Sequence, residues 1–197
     1  MIKILKENSY NIIRFFVFQI GIAIFSLMLY FSITRVDNDP LEAKIQFGIS
    51  IFSILFYLFL IYTASWEYGA KDKIRIDGGK MQRAPMKGAI MLIAANLLNF
   101  VLAFLCTLFL GINLSGGPEW LYSAAVIVNL ILRMIASMYI GVIKMIFINI
   151  EGDNLKFLYE SIAYLVIPLL SVLTGHVAYT LGLKDRKIFS KSKNEKQ

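Results

Sequence analysis

The residues able to do chemistry in this chain are few and scattered. One histidine, His176, and one cysteine, Cys106, exclude a multi-histidine metal site, a Cys/His zinc cluster and a disulfide framework. Ser50 and Ser53, in "FGISIFS", lack the following glycine of an oxyanion-stabilised turn, so neither makes a convincing nucleophile for a His176 base. His176 is therefore expected to hydrogen-bond a neighbouring helix, with Gly175 allowing close approach. What remains is a set of polar residues inside apolar runs, which are costly in hydrocarbon and so are functional candidates. Arg133 lies mid-run, where an arginine costs about 2.5 to 3.5 kcal/mol. Asn129 is one helical turn away, and Glu160 is the expected counter-ion. Asn96 and Asn99, three apart, put a second polar spot on one helix face. Two readings follow for Asn96, Asn99, Asn129, Arg133, Glu160 and His176: interhelical hydrogen bonds of about 0.6 kcal/mol each, or the lining of a polar cavity or solute path.

The elements that must position these residues are membrane helices. The 197 residues are 58% hydrophobic and 17% charged, with mean hydropathy +0.67, too apolar for a soluble domain of ordinary composition. About 20 apolar residues cross roughly 30 Å of hydrocarbon at 1.5 Å per residue. Five segments meet that test, at about 11–34, 45–69, 89–112, 121–150 and 158–183. The fold class is thus all-α, a single transmembrane domain over 1–197. The first run extends from about Ile12 to Ile33 without an A-x-A site and reads as an uncleaved signal anchor. "RVDNDPLEAK" and "NLSGGPEW" supply turns, and Pro168 is expected to kink segment five. Tyr62, Trp66 and Tyr68 at one level, with Trp120 and Tyr122 at another, suit the two membrane interfaces.

Lys and Arg in short loops are retained on the cytoplasmic side. The loop 70–88 carries Lys71, Lys73, Arg75, Lys80, Arg83 and Lys87. Lys3 and Lys6 mark the amino end, and the tail 184–197 carries Lys184, Arg186, Lys187, Lys191, Lys193 and Lys196. All three regions are expected to be cytoplasmic, but five simple crossings would put the chain ends on opposite sides. Segment four, 30 residues long, is the suspect, since it is long for one span and short for two. If it enters and returns to one face, "EGDN" falls outside and the tail inside. Against this, Asn129, Arg133, Ser137, Gly141 and Lys144 share one face of a continuous helix. The charge count draws on more residues, and favours a broken or re-entrant segment.

The net charge of +7 would suggest nucleic acid in a soluble protein, but beside membrane segments it serves topology, so no nucleic-acid partner is expected. The loop cations face anionic headgroups at roughly 1 kcal/mol each, unless a protein partner docks there. Within the loop, Asp77-Gly78 flanked by alternating residues signals a short hairpin, and Glu67 can pair with Lys71 if segment two continues as helix. Asp72, Asp77, Gly78 and Arg83 depart from the aspartate-rich motif of membrane CDP-alcohol phosphotransferases: the aspartates are five apart and none follows before Asp153. No metal, cofactor or catalytic residue is therefore expected.

"WEYGAKDKI", the Lys87-Gly88 start of segment three and "IPLLSVLTGHVAYTLGLKDRKI" resemble small, uncharacterised polytopic membrane proteins of Gram-positive bacteria. The resemblance spans about half the chain and implies a plasma-membrane location without an activity. The expected function is an accessory subunit that binds a partner in a membrane complex. The alternative is a small-solute transporter using the intramembrane polar residues, with an intramembrane enzyme third.

Overall fold

The computed structural model describes residues 2–33 and 39–185. Within them the chain folds as α1 (Ile2–Glu7), α2 (Ser9–Ile33), α3 (Asp39–Asp77), α4 (Lys87–Ala95), α5 (Leu97–Leu114), α6 (Trp120–Ile135), a 3-10 turn (Ser137–Tyr139), α7 (Ile140–Ile146), α8 (Asp153–Val166) and α9 (Leu169–Leu183). No strand occurs among the described residues. Helices satisfy every backbone group without water, which is what an apolar chain in hydrocarbon requires. Among the described residues, 4 helices are long and apolar enough to cross a membrane, or up to 5 if the bent pair α6 and α7 counts as one span. The surface supports the same conclusion, since Phe31, Leu55, Ile127, Leu130 and Leu173 point outwards while Gln19, Ser50, Ser65 and Asn96 are buried. This is a multi-pass membrane protein. Arg35 and the tail cations Arg186, Lys187, Lys191, Lys193 and Lys196 lie outside the described residues.

The loop 70–88 is shorter than its sequence suggests. α3 continues to Asp77, and Lys71 Nζ donates to Glu67 Oε1 at 2.6 Å, one turn back. The expected hairpin does not form, because Gly78-Gly79 ends a helix instead of joining two strands. Gly79 has φ +68°, its N–H bonds Ile76 O at 2.9 Å, and Lys80 N–H bonds Arg75 O at 2.9 Å. That pair of bonds around a left-handed glycine is a Schellman cap. The connector is then only 78–86, with α4 starting at Lys87.

Segment four is broken. α6 and α7 meet at 88° across Ala136 and the 3-10 turn. The backbone groups freed by the break are taken up by neighbouring helices, as non-helical backbone at membrane depth demands. Gln19 Nε2 donates to Ile135 O at 3.4 Å, while the side chain of Ser137 ties the turn to α2 by donating its Oγ to Ala23 O at 2.7 Å. Gly141 N–H donates to Ser50 Oγ at 2.8 Å and to Tyr30 OH at 3.2 Å. These contacts also trace the path. The turn sits beside the middle of α2, whereas Gly141 and Lys144 have returned to the far end of α2 and the start of α3. The pair therefore enters and leaves at one end of the bundle. The continuous polar face expected for segment four is divided by the bend between α6, the turn and α7.

The four long apolar helices and the returning pair leave both ends of the described chain at one end of the bundle. Arg14 Nη1 donates to Tyr68 OH at 3.1 Å, and Tyr179 OH and Lys87 both reach Asp72, so the starts of α2 and α4 and the ends of α3 and α9 gather together. This is the basic end. α3 packs along α9 most extensively, through glycines: a methyl group on Gly182 would strike the Trp66 carbonyl, and one on Gly69 the Tyr179 carbonyl. Gly182→Leu is expected to cost several kcal/mol by forcing backbones apart. Gly48→Leu, at a glycine with open space around it, should be neutral. Thermal unfolding in detergent compares the two, and equal melting temperatures would refute the packing argument.

Candidate functional site

Two polar centres lie within the bundle. The deeper one surrounds the carboxyl end of α6. Arg133 Nη2 and Glu160 Oε2 are 2.5 Å apart, with Glu160 on α8 almost fully buried and Arg133 about one-third exposed. An arginine at membrane depth needs such a partner, since insertion alone costs about 2.5 to 3.5 kcal/mol. The pair leaves atoms over. Arg133 Nε, Asn129 Oδ1, Asn99 Oδ1 and Gln19 Oε1 are buried and make no hydrogen bond. They share a level: Cys106 Sγ against Ala125 O fixes the antiparallel register of α5 and α6, which brings Asn99 beside the end of α6, and Gln19 bonds Ile135.

The asparagine pair on α4 and α5 forms its own small network. Asn99 Nδ2 donates to Asn96 Oδ1 at 3.3 Å, and Asn96 Nδ2 donates to Leu92 O at 2.9 Å and Ser171 Oγ at 3.3 Å. No hydrogen bond joins these asparagines to Asn129 or Arg133. His176, on α9, is half-buried with Nδ1 buried and without a partner, and it stands apart from the ion pair.

Glu160 also lines a charged cleft of about 340 Å³ with Glu42, Gln46, Gly141, Lys144 and Lys156. Its walls are the start of α3, the returning α7 and the start of α8, so it lies at the end opposite the basic one. Lys144 Nζ donates to Gln46 Oε1 at 3.3 Å, and Gln46 Nε2 donates to Glu42 Oε1 at 2.6 Å. The lining thus presents two ammonium groups and two carboxylates. It can hold a ligand carrying either charge, or both.

The second centre closes the basic end. Asp72 Oδ2 accepts from Lys87 Nζ at 2.7 Å and from Tyr179 OH at 2.7 Å, with Asp72 3% and Lys87 5% exposed. Lys87 was expected among the cations available to headgroups or a partner; it is instead buried and committed, because Gly88 lets α4 pack against Tyr179. Other loop cations also have carboxylates nearby: Lys71 has Glu67, Lys73 has Asp185 at 3.6 Å, and Arg75 has Asp72 at 3.9 Å. Lys80 and Arg83 stand exposed on the connector.

Among the described residues, no group of three or more His, Cys, Asp or Glu could hold a metal ion. Sequence reasoning missed Gln19 and Tyr30 and weighed Ser50 only as a nucleophile; all three hold the broken segment. Their only signal was polarity inside apolar runs. No family model, curated protein or solved structure matches the chain.

Proposed function

We propose that this protein is a carrier for a small charged or zwitterionic solute, which enters the cleft between α3, α7 and α8 and reaches the Arg133–Glu160 pair. The observation that carries this reading is the set of unpartnered buried polar atoms at the level of the end of α6: Gln19 Oε1, Asn99 Oδ1, Asn129 Oδ1 and Arg133 Nε. In a purely structural core, each would cost free energy without return. Beside a returning helix pair and a charged cleft, they are groups for a polar solute to engage. Further polar side chains, Ser53, Tyr57 and Ser65, follow down the buried face of α3 towards Asp72.

The basic end faces the cytoplasm of a bacterial plasma membrane in this reading. Lys71, Lys73, Arg75, Lys80, Arg83 and Lys184 gather there, and the positive-inside rule supports that orientation. The cleft then opens outside. The test is uptake by proteoliposomes of a panel of radiolabelled amino acids, carboxylates and amines. At least one should accumulate, and Arg133→Ala should abolish its uptake while the protein stays monodisperse. If the folded protein takes up none of them, or if Arg133→Ala leaves uptake intact, the carrier reading fails. Docking of a protein partner is the second reading, favoured by the exposed Lys80 and Arg83. Reversing both charges should release a stoichiometric partner in a pull-down from native membranes.

A further inference from the structure

Below the charged cleft lies a second cavity of about 650 Å³, lined only by apolar side chains. Leu55 and Leu58 of α3, Val142 and Ile146 of α7, and Leu170 and Leu173 of α9 form its walls. Leu55 and Leu173, at its rim, are 63% and 61% exposed, so the groove opens sideways into hydrocarbon. α7 is the partition between the two spaces. Gly141, Lys144 and Met145 face the cleft, while Val142 and Ile146 face the groove.

The order of the two cavities is the same on both flanking elements. Along α3, Glu42 and Gln46 precede Leu55 and Leu58. Along α8 and α9, Lys156 and Glu160 precede Leu170 and Leu173. Charge thus lies nearer the end opposite the basic one, and the apolar groove lies deeper. A lipid of that leaflet is arranged in the same order, head above chain.

We infer that the ligand is an amphiphile, a membrane lipid with a zwitterionic amine-phosphate head whose chain lies in the groove beside α7. This rests on the cleft being a ligand site, the premise it shares with the carrier reading, and it puts a lipid there in place of a soluble solute. The head is specified by the lining: its ammonium meets Glu42 and Glu160, and its phosphate meets Lys144 and Lys156. A purely anionic head would leave the carboxylates opposed to it. The chain is accommodated by the groove, where it exchanges one apolar surrounding for another, so the selectivity comes from the head.

The experiment is photo-crosslinking of the full chain in phosphatidylglycerol nanodiscs doped with a phosphatidylethanolamine that carries a diazirine in its chain. Peptide mass spectrometry locates the adducts, and a phosphatidylglycerol with the same chain is the comparison. Adducts should concentrate about tenfold on 51–58 and 166–173 over the lipid-facing Phe104, Ile127 and Leu130, and only with the ethanolamine head. Leu55→Trp and Leu173→Trp, both at exposed rim positions that tolerate bulk, should each remove most of that excess. Lys144→Glu should remove the head preference. Adducts spread evenly over all lipid-facing helices, or equal for the two heads, would overturn the inference. If they do so while Arg133→Ala still abolishes uptake of a soluble solute, the carrier reading stands and its ligand is not a lipid.

Discussion

Asp72→Asn should lower stability by about 3 to 5 kcal/mol, the cost of leaving a buried charge without its partner. Lys87 is 5% exposed and its ammonium meets Asp72 Oδ2 at 2.7 Å, so removing the carboxylate charge strands it. Tyr179 OH donates to the same oxygen, which an amide carbonyl can replace. The loss should therefore be electrostatic more than geometric. Lys87→Met leaves the carboxylate with Tyr179 OH and Arg75 and should cost less. The double variant should be much better than the sum of the two, since a neutral pair carries no uncompensated charge. Unfolding in a denaturing detergent, followed by tyrosine and tryptophan fluorescence, measures all three. Additivity to within about 0.5 kcal/mol would mean that the two residues are not coupled.

The pair also shows why the loop was misread in sequence. Charge in a short loop signals topology, and six cations between Lys71 and Lys87 read as a solvated patch. Burial of Lys87 depends on Gly88 admitting the Tyr179 ring, a contact between residues 91 positions apart that no local pattern encodes. The Asp-Gly-Gly stretch is ambiguous in the same way: it suits a hairpin turn or a helix cap, and the helix that precedes it decides between them. The apolar runs were legible because hydrocarbon thickness imposes their length. The break in segment four was legible only indirectly, from the parity of the charge count. No proline or paired glycine marks Ala136; the break is held by Gln19, Tyr30 and Ser50 on other helices. Arg133 named its own need for a counter-ion, and Glu160 lies 2.5 Å away. What the sequence could not show was that the returning α7 makes a cleft beside that pair.

Gly141→Val should remove the cleft while leaving the four crossing helices in place. A branched side chain at 141 would land on the Gln46 carbonyl and on Ser50 Oγ, and backbone cannot yield as a side-chain tip does. α7 must then move off α3, which breaks the Gly141 N–H bonds to Ser50 and Tyr30. Ser50 Oγ and Tyr30 OH still hydrogen-bond each other, so the freed group is the Gly141 N–H, which adds about 1 to 3 kcal/mol if it stays dry. Cysteine labelling reads the result: with Cys106 replaced by serine, a cysteine at Met145 should react with a membrane-impermeant maleimide added opposite the basic end. A cysteine at Ala178, buried in α9, should not react. In Gly141→Val the displaced α7 should expose the Met145 position further, so that it labels several-fold faster, while Ala178 stays closed. Equal labelling of Met145 in both proteins would mean that the approach of α7 to α3 does not shape the cleft. Opening of Ala178 would mean that the returning pair holds up the whole bundle. The closeness of Gly141 to α3 sets these outcomes apart, because it fixes where a polar ligand can stop and where the chain must turn back.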